Sequence, residues 1–298
     1  MTVRFVRPVS RAAYFGRRLG FGAFLLFVVS AVAHRFGPLN EPDFVALVLC
    51  SAAIAAASVP LSLLGLARLW SVGARGGVAA AHGLVFAAVP LAVVVMGTVS
   101  YLTLPPLYDI STDIADPPAF VFEPTADQRF LPQRPPMVTP TERRAQFAAY
   151  PRLTGRRYEG AVDRVYEGVQ KALQSARIGI VKTEGLELVE PDILTRAAPR
   201  DEQAPVPDVA PVPLRRPELT LEPTIGTAGD VLLQGETRTL VLGLRFDIVI
   251  RLREDAETTS VDLRVVSRFG PHDLGLGAAI AQDFLDRLDT ELLGITGG

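Results

Sequence analysis

The chain has 298 residues, of which 49% are hydrophobic, and a formal net charge of −2. Residues 1–104 hold 8 of the 30 Lys and Arg but only two of the 32 Asp and Glu, so the rest carries 22 basic against 30 acidic side chains. This acidic excess argues against nucleic acid as a partner and against broad adhesion to anionic lipid, although it leaves room for a local basic patch. The single cysteine, Cys50, excludes an internal disulfide.

Three apolar stretches at the N-terminus predict membrane-spanning helices. They cover residues 19–36, 44–66 and 79–104. Each is close to the length of about 20 residues that a helix needs to cross a bilayer. We therefore expect the lipid bilayer to be a partner of the chain.

The positions of the arginines predict the orientation of the spans. Five arginines precede the first span and two separate the second from the third, whereas the other short loop has only Arg35. Because basic loops stay in the cytoplasm, residues 1–18 are predicted to be cytoplasmic and the chain after residue 104 to be extracytoplasmic. The prediction is a multi-pass protein of the bacterial inner (plasma) membrane, with a C-terminal domain that is periplasmic where an outer membrane exists.

A cleaved signal peptide is the alternative for the first span. Arg17 and Arg18 precede an apolar run that ends in Ala31-Val32-Ala33, which has the small residues of a cleavage site. Cleavage would leave two spans and would keep the C-terminal domain on the same side.

Residues 105–155 are rich in proline and predict an extended lead that lies along a surface. The simplest interpretation is a stiff spacer. Two runs have turn-forming and aromatic residues that a spacer does not need. They are Asp109-Ile110-Ser111-Thr112-Asp113 and Pro117-Pro118-Ala119-Phe120. Short Asp and Thr side chains close local turns, and Phe120 and Phe122 can dock onto another surface.

Residues 156–298 predict an α+β domain. Apolar residues recur at helical spacing over 158–176 and 273–293, and strands are expected at 179–188, 231–244, 246–253 and 259–269. Alternation in the last two strands predicts one apolar side and one wet side. The pattern favours an antiparallel sheet of about four strands with both helices on one face. The proline-rich stretch 191–229 predicts a disordered insertion.

Short runs in this order resemble the bacterial domain-of-unknown-function family 1499. The matching runs are residues 109–113, 117–120, 246–251 and 265–275. The resemblance covers roughly residues 105–190 and 230–292, and it implies a membrane-linked envelope domain without an established activity. The chain departs from the family pattern at His272, where a small polar residue is expected, and in the insertion 191–229.

The junction between the last strand and the last helix is the best candidate for a binding site. It contains Ser267, Arg268, Gly270, His272 and Asp273. A helix N-terminus and a forked guanidinium suit an anion, but Asp273 would cap the same donors itself, and we favour capping and packing. Six motif residues have no assigned role: Asp109, Thr112, Asp113, Pro117, Pro118 and Phe120.

Other chemistry has weak support in the sequence. Ser267, His272 and Asp273 lie within one turn, which disfavours a hydrolase triad. Turn formation explains the aspartates of residues 109–116, and three histidines with one cysteine offer few zinc ligands. No catalytic residue, metal or cofactor is predicted.

Three functional hypotheses follow. The leading one is a non-enzymatic envelope domain that binds another envelope protein, a lipid or a wall component. The second is an enzyme on a lipid or wall substrate, which would need Arg268, His272 and Asp247 or Asp262 to converge. The third is a membrane scaffold that acts through the small-residue band at residues 52–58.

Overall fold

The computed structural model describes residues 8–135, 138–186, 229–255 and 257–294. It begins with three helices, α1 (Arg11–Phe36), α2 (Glu41–Val72) and α3 (Gly77–Thr103). All three are long and apolar enough to cross a membrane, as the sequence predicts. The first helix starts earlier than its apolar stretch, because the Ser10 side chain accepts the N–H of Ala13 and caps it.

Small residues let the three helices pack closely. Gly20 of α1 faces Gly83 of α3, and a Cβ added to Gly20 would lie 2.5 Å from the Gly83 carbonyl oxygen. Within the small-residue band of α2, Ala52, Ala55 and Ser58 are buried, while the other three alanines are exposed. Helix packing in lipid depends on such close backbone approach.

The rest of the chain is the predicted α+β domain with an antiparallel sheet. Its strands are β1 (Asp109–Ser111), β2 (Arg156–Glu159), β3 (Gly179–Glu184), β4 (Asp230–Arg238), β5 (Arg245–Asp255) and β6 (Thr258–Ser267). The strand order is β1-β6-β5-β4-β3, and β2 pairs with the other end of β6. The sheet has six strands rather than about four, because β1 and β2 are too short to give a periodic signal and are defined by their pairing with β6.

One face of the sheet carries the core. Helices α5 (Val162–Ser175) and α6 (Leu276–Leu293) cover it, as predicted. The alternate residues Phe246, Ile248, Ile250 and Leu252 of β5 are all at most 2% exposed. Burial of each such side chain contributes about 2 kcal/mol.

Tyr158 fixes β2 to α6 at the margin of this core. Its hydroxyl donates to the Asp289 carboxylate at 2.6 Å, and Arg156 pairs with the same carboxylate at 3.1 Å. Burial, together with the bond to Asp289, raises the pKa of the Tyr158 phenol above its usual range. The phenol therefore stays a hydrogen-bond donor at neutral pH.

The proline-rich lead contains regular structure besides its extended parts. Strand β1 lies in it, and so does α4 (Pro140–Ala149), which begins with a capping box between Thr139 and Glu142. The predicted insertion 191–229 lies outside the described residues except for Gly229.

The domain rests directly on the end of the helix bundle where α1 ends, α2 begins and α3 ends. Three polar contacts join them: the Arg245 N–H donates to the Glu41 carboxylate, Arg129 pairs with Asp43 at 3.0 Å, and the His272 ring lies 3.2 Å from the Leu104 carbonyl oxygen. The domain therefore contacts this end of the bundle at several points.

Apolar contacts reinforce this docking. In the β4–β5 connection, Leu242 and Leu244 pack against a cluster of Phe27, Phe44 and Val48 near the same end of the bundle. The connection between the strands thus lies alongside the membrane helices.

Replacing Gly20 by alanine should destabilise the bundle by about 1–3 kcal/mol, because the new methyl group would overlap the Gly83 carbonyl. The measurement is the unfolding of the purified protein in sodium dodecyl sulfate, monitored by circular dichroism. Gly22→Ala is the matched control, since an added Cβ there meets nothing within 4 Å. Equal stability of the two variants would contradict the close packing.

Candidate functional site

The face of the sheet opposite α5 and α6 is charged, and the lead crosses it. The Asp109 carboxylate, 4% exposed, accepts three bonds of 2.6–3.2 Å from Arg264 on β6 and one of 3.4 Å from Arg143 on α4. Arg264 also donates to the Pro118 carbonyl at 3.1 Å and lies 4.9 Å from the centre of the Phe120 ring. Arg264 thus binds the lead to the sheet at three residues, Asp109, Pro118 and Phe120.

Arg251 is the centre of a second ion cluster on this face. Its side chain, 6% exposed, bonds to the carboxylates of Asp113 at 3.1 Å, Asp116 at 2.9 Å and Asp262 at 3.1 Å. Burial acts to raise the pKa of Asp116, but Arg251 and Arg253 outweigh it and hold that pKa below its usual range. The aspartates of the lead thus neutralise an arginine in the middle of a strand.

Two glutamine side chains hold the lead by its backbone. The Gln146 amide of α4 donates to the Ser111 carbonyl at 2.5 Å and accepts the Ser111 N–H at 3.3 Å. The Gln234 amide of β4 makes the same two bonds with Phe122, at 2.8 and 2.9 Å. Each glutamine takes the place of a strand partner, and at the buried Ser111 it satisfies backbone groups that would otherwise be unpaired.

The remaining motif residues complete the same surface. Thr112 exchanges hydrogen bonds with the Leu263 backbone at 2.8 and 2.9 Å, which prolongs the pairing of β1. Pro117 lines an open cleft of about 710 Å³. Arg253 also lines this cleft and pairs with Asp230, and that bond raises the pKa of Arg253.

Arg268, the predicted cation of the strand–helix junction, is bonded to carboxylates of the sheet. Its guanidinium contacts Asp247 at 2.6 and 2.9 Å and Glu236 at 2.6 Å. The bonds to Asp247 raise the pKa of Arg268. An anionic ligand would have to displace one of these carboxylates.

Ser267 and Gly270 present carbonyl groups to a cation that the sequence analysis missed. Arg134 of the lead donates to the carbonyls of Ser267, at 2.6 Å, and Gly270, at 2.9 Å. It lies 4.5 Å from the centre of the Tyr108 ring, and burial lowers the pKa of Arg134. The Ser267 hydroxyl donates to the Phe269 carbonyl at 2.8 Å. Arg134 of the lead thus binds the loop between β6 and α6 through its backbone carbonyls.

Asp273 occupies the amide donors that an anion would use. Its carboxylate accepts the N–H groups of Gly275 at 2.8 Å and Gly277 at 2.9 Å, next to the start of α6. Burial raises the pKa of Asp273, and these two bonds act in the opposite direction. Gly275 is the N-cap residue of α6, so Asp273 bonds to the first amide donors from a position two residues before the cap.

His272 connects the junction to the membrane helices. Its Nδ1 accepts the Leu274 N–H at 2.9 Å, so Nε2 carries the proton and donates to the Leu104 carbonyl at 3.2 Å. The Tyr101 ring lies 5.0 Å away. His272 therefore contacts the end of α3.

The charged residues of this face bond to one another and to the backbone, and those proposed for catalysis do not all meet in one place. Arg268 and Asp247 meet, but His272 bonds to Leu104 and Leu274 instead, and Asp262 bonds to Arg251. Among the described residues, no three His, Cys, Asp or Glu side chains are grouped to hold a metal ion. Anion binding at the junction stays a prediction.

Sequence patterns could have identified some of the residues that hold this surface together. Thr139 and Glu142 match the capping-box spacing, which predicts α4 and so places Gln146 on a helix. Arg251 and Asp262 lie opposite each other in the β5–β6 register. Arg134 had no such signal, because its partners are carbonyl groups distant in sequence.

Arg264→Ala should destabilise the domain by about 3 kcal/mol, because it leaves the buried Asp109 carboxylate without its main partner. The measurement is urea unfolding of the full-length protein in detergent. Arg157→Ala is the control, since its pair with Asp255 is 64% and 61% exposed and contributes less than about 1 kcal/mol. A loss no larger than the control's would contradict the assigned role of Arg264.

Comparison with known proteins gives one match. A family model described as "Protein of unknown function (DUF1499)" matches residues 109–288. No curated protein matches the chain, and no solved structure does. The matched region begins at Asp109 of β1 and therefore includes most of the lead together with the sheet.

Proposed function

The chain belongs to the DUF1499 family of proteins of unknown function, and we propose that it is an envelope protein that presents a non-enzymatic binding domain on the extracytoplasmic side of the membrane. The observation that carries the proposal is the direct docking of the sheet domain on one end of the helix bundle. A domain held this way keeps one orientation toward the bilayer.

The two ends of the bundle support the proposed sidedness. At the end away from the domain, the backbone of residues 8–10 bonds to Arg75 in the connection between α2 and α3. The seven arginines that predict a cytoplasmic location belong to these segments and their flanks. The domain meets the opposite end, near Glu41 and Leu104. In a bacterium with an outer membrane, the domain would be periplasmic.

The charged residues of the domain favour binding over catalysis. On the polar face, Arg251, Arg264 and Arg268 bond to carboxylates of the chain itself. A catalytic site needs ionisable groups aimed at a substrate. The candidates for such a role, Arg268, His272 and a strand carboxylate, instead hold the domain together and join it to α3.

Labelling with a membrane-impermeant maleimide tests the orientation. In a Cys50→Ser background, Lys171→Cys on the exposed side of α5 should react in intact spheroplasts. Ser71→Cys, at the other end of the bundle, should react only after permeabilisation. Both positions are exposed in the structure, so access differs only through the membrane. The reverse pattern would overturn the proposal.

A scaffold that acts through the helices is the second candidate, favoured by the exposure of Ala53 and Ala57 on α2. If the domain binds the partner, the double variant Ala53→Leu/Ala57→Leu should still copurify with every protein that accompanies the wild type. Quantitative mass spectrometry of gently solubilised membranes measures this. Loss of those proteins from the double variant would favour the scaffold and contradict the binding domain.

A further inference from the structure

A cleft lies where the end of α1 meets the sheet domain. It encloses about 460 Å³ and is lined by Arg35 and Phe36 of α1, Arg177 after α5, and a segment around the end of β4 that includes Arg238 and Leu240. Three arginines from three separate parts of the chain therefore line one cleft.

The three arginines differ from those on the polar sheet face. Across the described ranges of the chain, the side chains of Arg35, Arg177 and Arg238 form no ion pair and donate no hydrogen bond. Glu236, the carboxylate that lines the cleft, is bonded to Arg268 at 2.6 Å. The cleft thus concentrates positive charge on a domain whose overall charge is negative, and forked guanidinium donors match the oxygens of a phosphate group.

The surroundings of the cleft place it at the membrane surface. Phe36, at the end of a membrane helix, is 83% exposed, and Leu240 and Val241 in the β4–β5 connection are 69% and 86% exposed. The next residue, Leu242, packs into the helix cluster around Phe44. Apolar tips beside arginines are typical of segments that lie in the headgroup layer of a bilayer.

We infer that this cleft binds the phosphate group of an anionic phospholipid in the leaflet that faces the domain, while Leu240 and Val241 enter the acyl region. A lipid fits better than free phosphate, because the site combines cations with exposed apolar side chains and the bundle holds it against the bilayer. The inference deepens the proposed function by naming a ligand for the domain. It rests on the docking and the spans, and holds whichever compartment the domain occupies.

Tryptophan quenching by brominated lipids tests both parts of the inference in the full chain. The only tryptophan, Trp70, is replaced by phenylalanine, and Val241→Trp supplies a reporter in the β4–β5 connection. The protein is reconstituted in phosphatidylcholine vesicles that contain either brominated phosphatidylcholine or increasing fractions of brominated phosphatidylglycerol. Both lipids should quench the reporter, and phosphatidylglycerol should do so at the lower mole fraction.

The triple change Arg35→Gln/Arg177→Gln/Arg238→Gln should abolish the preference for phosphatidylglycerol. The expected fall in relative association is at least about fivefold, the factor that one interfacial arginine gives. The matched control, Arg144→Gln/Arg157→Gln/Arg164→Gln, removes equal charge from exposed positions outside the cleft and should keep the preference. Binding of lipid to the basic far end of the bundle is common to all variants and does not reach the reporter.

Four results would overturn the inference. A reporter that neither lipid quenches would place the connection outside the bilayer. Equal quenching by the two lipids, or a preference that survives the triple change, would remove the phosphate site. Relief of the preference by inorganic phosphate would assign the cleft to the free ion. Each of these results can be distinguished from a reversed pattern of maleimide labelling. That pattern would overturn the proposed sidedness and would leave the quenching unchanged.

Discussion

The arginines in the middle of β5 and β6, one buried and one half-buried, are the constraint on which the rest of the structure depends. Arg251 and Arg264 lie on strands whose other face is the apolar core, and a buried cation is tolerable only with a carboxylate beside it. The lead supplies most of those carboxylates, among them Asp109 and Asp113. The proline-rich segment is therefore a layer of the domain, and its removal would leave charged groups unpaired.

The bound lead also determines where the domain stands. Only a few residues separate the end of α3 at Thr103 from β1 at Asp109, so a lead fixed to the sheet holds the sheet against the bundle. His272, Glu41 and the β4–β5 connection then meet their partners at the same end. Arg251, Arg253 and Arg264 of the sheet serve this cohesion, while the arginines of the cleft beside Phe36 have no carboxylate partner in the described chain.

Much of the fold was predictable because its signals are local. The apolar stretches gave the three spans, and period-two alternation gave β5 and β6. The six motif residues in the lead were identified, but their partners were not. The side of the sheet that the alternation marked as wet is covered by Phe120 and its neighbours in the lead, because a pattern within one strand cannot reveal a layer supplied by a distant segment.

The sequence by itself determined that three helices are long and apolar enough to cross a membrane, which end of the bundle is basic, and that an α+β domain follows. These properties depend on hydrophobic transfer and periodicity, which are sums over neighbouring residues. Only the tertiary structure decided which charges are paired. Asp109 and Arg264 are 155 positions apart and meet because β1 pairs with β6 in one register. An ion pair is strong only when its two charges lie close together, so the fold must first bring such groups into contact.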